Sequence, residues 1–63
     1  MKVYPEIMNI KETANYLRIS QYTLGEKARQ GEIPSVKIGR RRLFRKATLE
    51  TWLEEQERNS KFF

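Results

Sequence analysis

One segment of the chain, residues 36 to 46 (VKIGRRRLFRK), combines six positive charges with four apolar side chains and contains no acid. A chain of 63 residues buries only a small core, so it has few apolar positions to spare. In a β-hairpin, alternate side chains point to opposite faces, so one face can pack while the other carries charge into solvent. We therefore expect Val36, Ile38 and Phe44 to be buried, with the arginines on the tip and the outer face of a hairpin.

The bounds of this hairpin follow from a change to a two-residue period. Apolar and polar residues alternate over 35–38, and Gly39 can adopt the positive φ that a tight turn requires. We expect strands over 35–38 and 42–45, with Gly39, Arg40 and Arg41 at the tip.

The chain before the hairpin begins with an irregular lead-in, predicted for residues 1–8. Asn9 is then a good N-cap, and Glu12, three residues later, can complete a capping box. The apolar spacing that follows predicts a first helix from Ile10 to Leu17.

A second helix follows after a very short turn. Ser20 is its predicted N-cap, and the helix should run from Gln21 to about Gln30, with Gly31 ending it in the C′ position. Two short helices joined by a tight turn form a helix-turn-helix pattern. Ile19, in the turn, is predicted to fill the space between the two helices.

A third helix is predicted from Lys46 to Glu57. Leu49, Trp52 and Leu53 recur at helical spacing and predict a stripe that packs on the core, with glutamates on the other side. The last residues, including Phe62 and Phe63, are expected to fray.

The composition argues against several classes of function. The chain has no His and no Cys, its eight acids are all Glu, and it has no glycine-rich phosphate loop. The usual nucleophiles, general bases and metal-ligand clusters are therefore missing, so we expect a protein that is not an enzyme and that uses no cofactor or metal. The sequence also has no apolar segment of signal-peptide or membrane-spanning length, which predicts a cytoplasmic protein.

Charge is distributed unevenly along the chain. Thirteen Lys and Arg against eight Glu give a net charge of +5, with the basic hairpin followed almost at once by an acidic third helix. A localised basic surface favours nucleic acid, an anionic membrane surface or an acidic protein as partner. Because no strongly amphipathic basic helix is present, a membrane is disfavoured. No small-molecule substrate is expected either, since the usual catalytic residues are missing.

The ordered motifs NIKETANYLRIS-YTL, GEIPSVKIGRRRLF and LETWL, over about residues 8 to 54, resemble the small MerR-like winged helix-turn-helix domains of the excisionase type. The resemblance implies a mainly α fold with a small β-hairpin, in the order α-α-β-β-α. It also implies a single DNA-binding domain over residues 1–63, ordered over about 8–57. In such proteins the second helix enters the major groove of duplex DNA, and the hairpin wing lies over the backbone or the minor groove.

The chain departs from this family at two places. Members often carry an aromatic and a basic residue where Gly25 and Glu26 stand, and an aromatic residue where Arg42 stands. A carboxylate at Glu26 repels phosphate unless it accepts a hydrogen bond from a cytosine amino group. This shifts the expected weight of DNA binding from the second helix to the wing.

The candidate DNA-binding residues lie on the second helix and on the wing. Gln21 and Tyr22 are at the helix N-terminus, where recognition helices usually read bases, whereas consecutive arginines present donors suited to phosphate or a narrow minor groove. The full predicted set is Gln21, Tyr22, Thr23, Glu26, Arg29, Lys37, Arg40, Arg41, Arg42 and Arg45.

Several roles remain open at the level of sequence. The resemblance favours an excisionase, a recombination directionality factor of a mobile element, with an integrase or recombinase, or further copies of the chain on adjacent sites, as protein partners. A small transcriptional regulator or a phage packaging protein of similar fold is the alternative within DNA binding. A module that grips an acidic protein is the alternative from a different class.

Overall fold

The computed structural model describes residues 3–59, which form three helices and a three-stranded antiparallel sheet. This confirms the predicted mainly α, winged helix-turn-helix architecture. In chain order the elements are β1 (Ile7–Met8), α1 (Ile10–Leu17), α2 (Gln21–Arg29), β2 (Val36–Ile38), β3 (Arg41–Arg45) and α3 (Lys46–Asn59).

Helix α1 has the predicted bounds and the predicted cap. The Glu12 backbone N–H donates to Asn9 Oδ1 at 2.8 Å, and the Asn9 N–H donates to Glu12 Oε1 at 3.0 Å, so the capping box is confirmed. The helix ends at Leu17, and Arg18 turns the chain with a left-handed φ of 62°. This single residue sets the tight turn into α2.

Helix α2 begins as predicted and ends one residue earlier. Ser20 Oγ accepts a hydrogen bond from the Thr23 N–H at 3.0 Å, and Gly31 has the positive φ expected just after a helix. Ile19 does not fill the space between the helices. Its side chain is exposed and borders an open groove between α2 and α3, so that prediction is wrong.

The sheet contains a strand that the sequence did not predict. The lead-in was expected to be irregular, but β1 pairs with β3, placing Ile7 opposite Arg45 and Met8 opposite Phe44. Met8 and Phe44 share one face and are both buried, which anchors the start of the chain to the core.

The register of β2 against β3 overturns the prediction that Val36 and Ile38 are buried. Val36 pairs with Leu43 and Ile38 pairs with Arg41, so all four lie on the face opposite Phe44. Phe44 is only 1% exposed, whereas Val36 is 57% and Ile38 59% exposed. The sheet therefore packs on the helices through Met8 and Phe44 and leaves these two aliphatic side chains in solvent.

The core lies between the three helices and the inner face of the sheet. On α3, Leu49 is buried and Trp52 packs against the core, as predicted, but Leu53 is not buried and keeps about a third of its surface in solvent. The helix continues to Asn59, two residues further than predicted. The Phe62–Phe63 tail lies outside the described residues. The buried apolar residues are Met8, Ala14, Leu24, Ala28, Ile33, Phe44 and Leu49.

Candidate nucleic-acid interface

The wing is formed by β2, β3 and the two-residue turn between them. Gly39 has a φ of 61°, a left-handed conformation that strains any residue with a Cβ, and it makes the turn with Arg40. Arg41 was predicted at the tip, but it is the first residue of β3 and pairs with Ile38. Arg40, Arg41 and Arg42 therefore occupy three successive positions, from the turn into β3.

The basic side chains of the wing are divided between its two faces. Arg42 pairs with Lys37, and both share the inner face with Phe44, whereas Arg41 and Arg45 lie on the outer face. The prediction that the arginines occupy the tip and the outer face is thus wrong for Arg42.

Arg42 is held in place by a hydrogen bond within the wing. Its guanidinium Nη1 donates to Ser35 Oγ at 2.9 Å, and the side chain is only partly exposed. One hydrogen bond leaves most of the five guanidinium N–H donors available to a phosphate. Sequence reasoning missed Ser35, because its closeness to Arg42 depends on the strand register.

Both basic side chains of α2 are already paired with carboxylates. Arg29 Nη2 lies 2.6 Å from Glu26 Oε1, and Lys27 Nζ lies 3.0 Å from Glu32 Oε1. These two pairs leave little net charge on this part of the surface. The helix is consequently a weak source of phosphate attraction.

The wing, unlike α2, has few ion pairs among the basic side chains of the described residues. Its only ion pair within residues 3–59 joins Arg45 Nε to Glu6 Oε2 at 3.7 Å, a distance that gives a weak contact. Of the predicted site residues, four are therefore basic and form no ion pair with the described carboxylates: Lys37, Arg40, Arg41 and Arg42. The positive surface of the molecule is concentrated on the hairpin.

The N-terminal part of α2 presents the polar and aromatic candidates. Tyr22 is 78% exposed, which is high for an aromatic side chain in a domain of this size. Gln21 is also exposed and lies beside Lys11 and Asn15 of α1, so it stands at the junction of the two helices. The Thr23 Oγ1 atom accepts a hydrogen bond from Ser20 Oγ at 2.9 Å, and the Thr23 hydroxyl can still donate.

Glu6 is a second residue whose role the sequence did not reveal. Its backbone carbonyl accepts the Lys46 N–H at 2.8 Å, and its carboxylate accepts the Ala47 N–H at 3.3 Å and approaches Arg45. Because α3 follows β3 without a connecting loop, its first N–H groups depend on this distant residue. The base of the wing is thereby fixed to both the lead-in and α3.

Within residues 3–59, no group of three or more acidic side chains is placed to hold a metal ion. In the same span no helix has both the length and the apolar character needed to cross a bilayer.

Comparisons with known proteins agree with this geometry. A family model described as a helix-turn-helix domain matches residues 7–57, which include every element of the structure except the last two residues of α3. No curated protein and no solved structure gave a significant match. The family includes excisionase-like DNA-binding domains, and DNA is the partner that a domain of this kind indicates. The chain belongs to the helix-turn-helix domain family.

Proposed function

We propose that the chain acts as a single domain that binds duplex DNA, with α2 in the major groove and the wing on the backbone or in the minor groove. The observation that carries this proposal is the set of four wing cations without carboxylate partners in the described chain. Cations that form no internal ion pair can release condensed counterions from DNA at no cost in broken pairs.

Helix α2 and the wing contribute to DNA binding in different ways. Because the charges of α2 are compensated by Glu26 and Glu32, this helix contributes shape and hydrogen bonding more than attraction. Tyr22 and Gln21 are the exposed side chains at its N-terminus that can touch base edges. The wing supplies the electrostatic part of the binding free energy through Arg40 and its neighbours.

The proposed biological role is that of an excisionase of a mobile element. A module of this size contacts few base pairs, so specific binding calls for several copies on repeated sites or a recombinase bound alongside. A small transcriptional regulator and a phage packaging protein are the alternatives that share this interface. Binding confined to a promoter would favour regulation, and DNA bending at an attachment site would favour excision.

The test is the salt dependence of binding to a mixed-sequence duplex. About four phosphate contacts predict a log–log slope of affinity against salt of about −4, since each contact contributes roughly 0.9. Arg40→Ala and Arg41→Ala should each reduce the size of this slope by about one and weaken binding to all sequences alike. Arg58→Ala removes the same charge from the exposed end of α3 and is the matched control.

Two results would contradict the proposal. A slope near zero would show that phosphates are not contacted. An equal effect of Arg58→Ala and Arg40→Ala would show that only net charge matters and that the wing is not placed on the DNA.

A further inference from the structure

The outer face of the sheet carries an exposed aliphatic surface that the DNA interface does not use. Ile7 is 49% exposed, and the register places it on the same face as Val36, Ile38 and Leu43. These side chains border a shallow groove of about 440 Å³ that Thr48 of α3 also lines. Single exposed aliphatic residues are ordinary, but a contiguous group on one face indicates a contact surface.

Two arginines flank this surface. Arg41 and Arg45 alternate with Leu43 along β3, so both project from the same outer face. A phosphate backbone offers nothing to the aliphatic side chains between them. A partner surface that combines apolar side chains with carboxylates can pack on the aliphatic residues and form ion pairs with the arginines.

A surface of that composition lies on α3. Leu53 is 37% exposed, and Glu50, Glu54 and Glu57 are spaced by four and three residues, which aligns them beside it along one side of the helix. None of these three glutamates forms an ion pair within residues 3–59. We call Leu53 with Glu50, Glu54 and Glu57 the acidic stripe.

The two surfaces of one molecule cannot meet each other. Thr48 borders the sheet groove, and Leu53 is five residues further along the helix, which is a rotation of about 140° at about 100° per residue. The acidic stripe thus points away from the outer face of the sheet in the same molecule. The complementary surface must come from another molecule.

We propose that the outer face of the sheet binds the acidic stripe of a second copy of this chain. Such a contact joins two different surfaces, so a pair of copies keeps one free sheet face and one free acidic stripe, and the association can continue from copy to copy. On DNA it would order neighbouring copies along the duplex. The inference thus deepens the proposed function by naming the protein partner, although the contact itself requires no DNA.

The test uses charge reversal in the free chain, because Arg41 belongs to both the DNA interface and the outer face. One variant carries Arg41→Glu and Arg45→Glu, and the other carries Glu54→Arg and Glu57→Arg. Each variant alone should remain monomeric in sedimentation at low salt and high protein concentration, where the wild-type chain should gain mass with concentration. An equimolar mixture should associate again, since each reversed surface then finds an oppositely charged one.

Ile38→Ser is the uncharged counterpart of these variants. It should weaken association several-fold without changing the helical circular dichroism spectrum, because Ile38 lies outside the core. A wild-type chain that stays monomeric, or a mixture that fails to associate although both variants are folded, would overturn the inference. Either result would leave salt-dependent DNA binding by the dilute chain intact, so the two proposals fail separately.

Discussion

Arg29 and Glu26 form an ion pair one turn apart on the exposed side of α2, with Arg29 Nη2 2.6 Å from Glu26 Oε1. The pair occupies the side of the helix that is proposed to face DNA. It therefore presents a neutral surface at a position where an isolated arginine would attract phosphate. This contact is a main reason why we expect the wing, and not α2, to supply most of the attraction to phosphate.

Replacing Glu26 with Gln should strengthen binding to DNA of any sequence. The change removes a negative charge and frees Arg29 for a phosphate, so the salt slope should increase in size by about one. The cost to folding should be below about 1 kcal/mol, as for other exposed ion pairs. Mobility-shift titrations at several salt concentrations measure the effect.

The matched control for this change is Glu55→Gln, which alters net charge equally on an exposed position of α3. If Glu55→Gln raises the affinity as much as Glu26→Gln does, the side of α2 that bears Glu26 is not at the DNA.

Substitution of Tyr22 or Gln21 by Ala should change which sequences are bound more than how tightly DNA in general is bound. Both side chains are exposed, so neither change should lower stability by more than about 0.5 kcal/mol. A lost base contact should cost about 1–3 kcal/mol of discrimination at one position of the site. Selection of bound duplexes from a random pool, compared between variants, measures this.

Gln30→Ala, at the other end of α2, is the control for these two changes. Identical selected sites for the Tyr22→Ala, Gln21→Ala and wild-type chains would remove the N-terminus of α2 from sequence reading.

The two faces of the wing should differ sharply in their contribution to stability. Phe44→Ala should destabilise the fold by about 3–5 kcal/mol, because the ring is almost fully buried. That is comparable with the whole stability expected of a small domain, so the variant should be largely unfolded. Ile38→Ala, on the opposite face, should cost less than about 1 kcal/mol. Urea denaturation followed by circular dichroism compares them, and similar costs for both would contradict the strand register described above.

The alkaline limit of stability should depend on Tyr16. This residue packs edge-on against Tyr4, with ring centroids 5.1 Å apart, and burial raises the pKa of Tyr16 above 10.0, with a further contribution from the Glu50 carboxylate. The folded state therefore holds the phenol proton more tightly than the unfolded chain does. The resulting stability is complete below the unfolded-state pKa and is lost as the pH rises through the folded-state pKa.

Tyr16→Phe keeps the ring and removes the proton, so the melting temperature should fall less steeply above about pH 10 than in the wild type. Thermal unfolding across this pH range measures the slope. Tyr22→Phe removes an exposed hydroxyl and is the control, and an equal flattening in both variants would contradict the role of Tyr16.

The helices were predictable because their signals are local. Asn9, Glu12 and Ser20 satisfy backbone donors only three residues away, so the pattern of residues defines the starts of α1 and α2 directly. The end of α2 was predicted within one residue, because Gly31 marks it.

The sheet was harder to predict, because its pairing joins distant parts of the chain. Ile7–Met8 is too short to show an alternating pattern, and its partners lie in β3. Leu43 and Phe44 are adjacent apolar residues, and either could have faced the core. The register with β2 and the packing against Met8 place Phe44 in the core. Neither can be inferred from the order of residues along the chain.

The sequence predicts which residues form the candidate interface, but not which side chains contact one another. The sequence identified the basic segment, and it suggested that Glu26 weakens α2. It did not reveal that Arg29 is the partner of Glu26 or that Ser35 holds Arg42, since ion pairs and hydrogen bonds of this kind depend on side-chain direction.

The contact between Glu6 and the first turn of α3 has a practical consequence for where the domain is cut. The family match begins at residue 7, so a chain trimmed to that boundary would lose the carboxylate and the carbonyl that accept the Ala47 and Lys46 N–H groups. Its last helix would start with unsatisfied donors, although every residue of that helix would be present. Fragments for binding studies should therefore retain the residues ahead of the matched region.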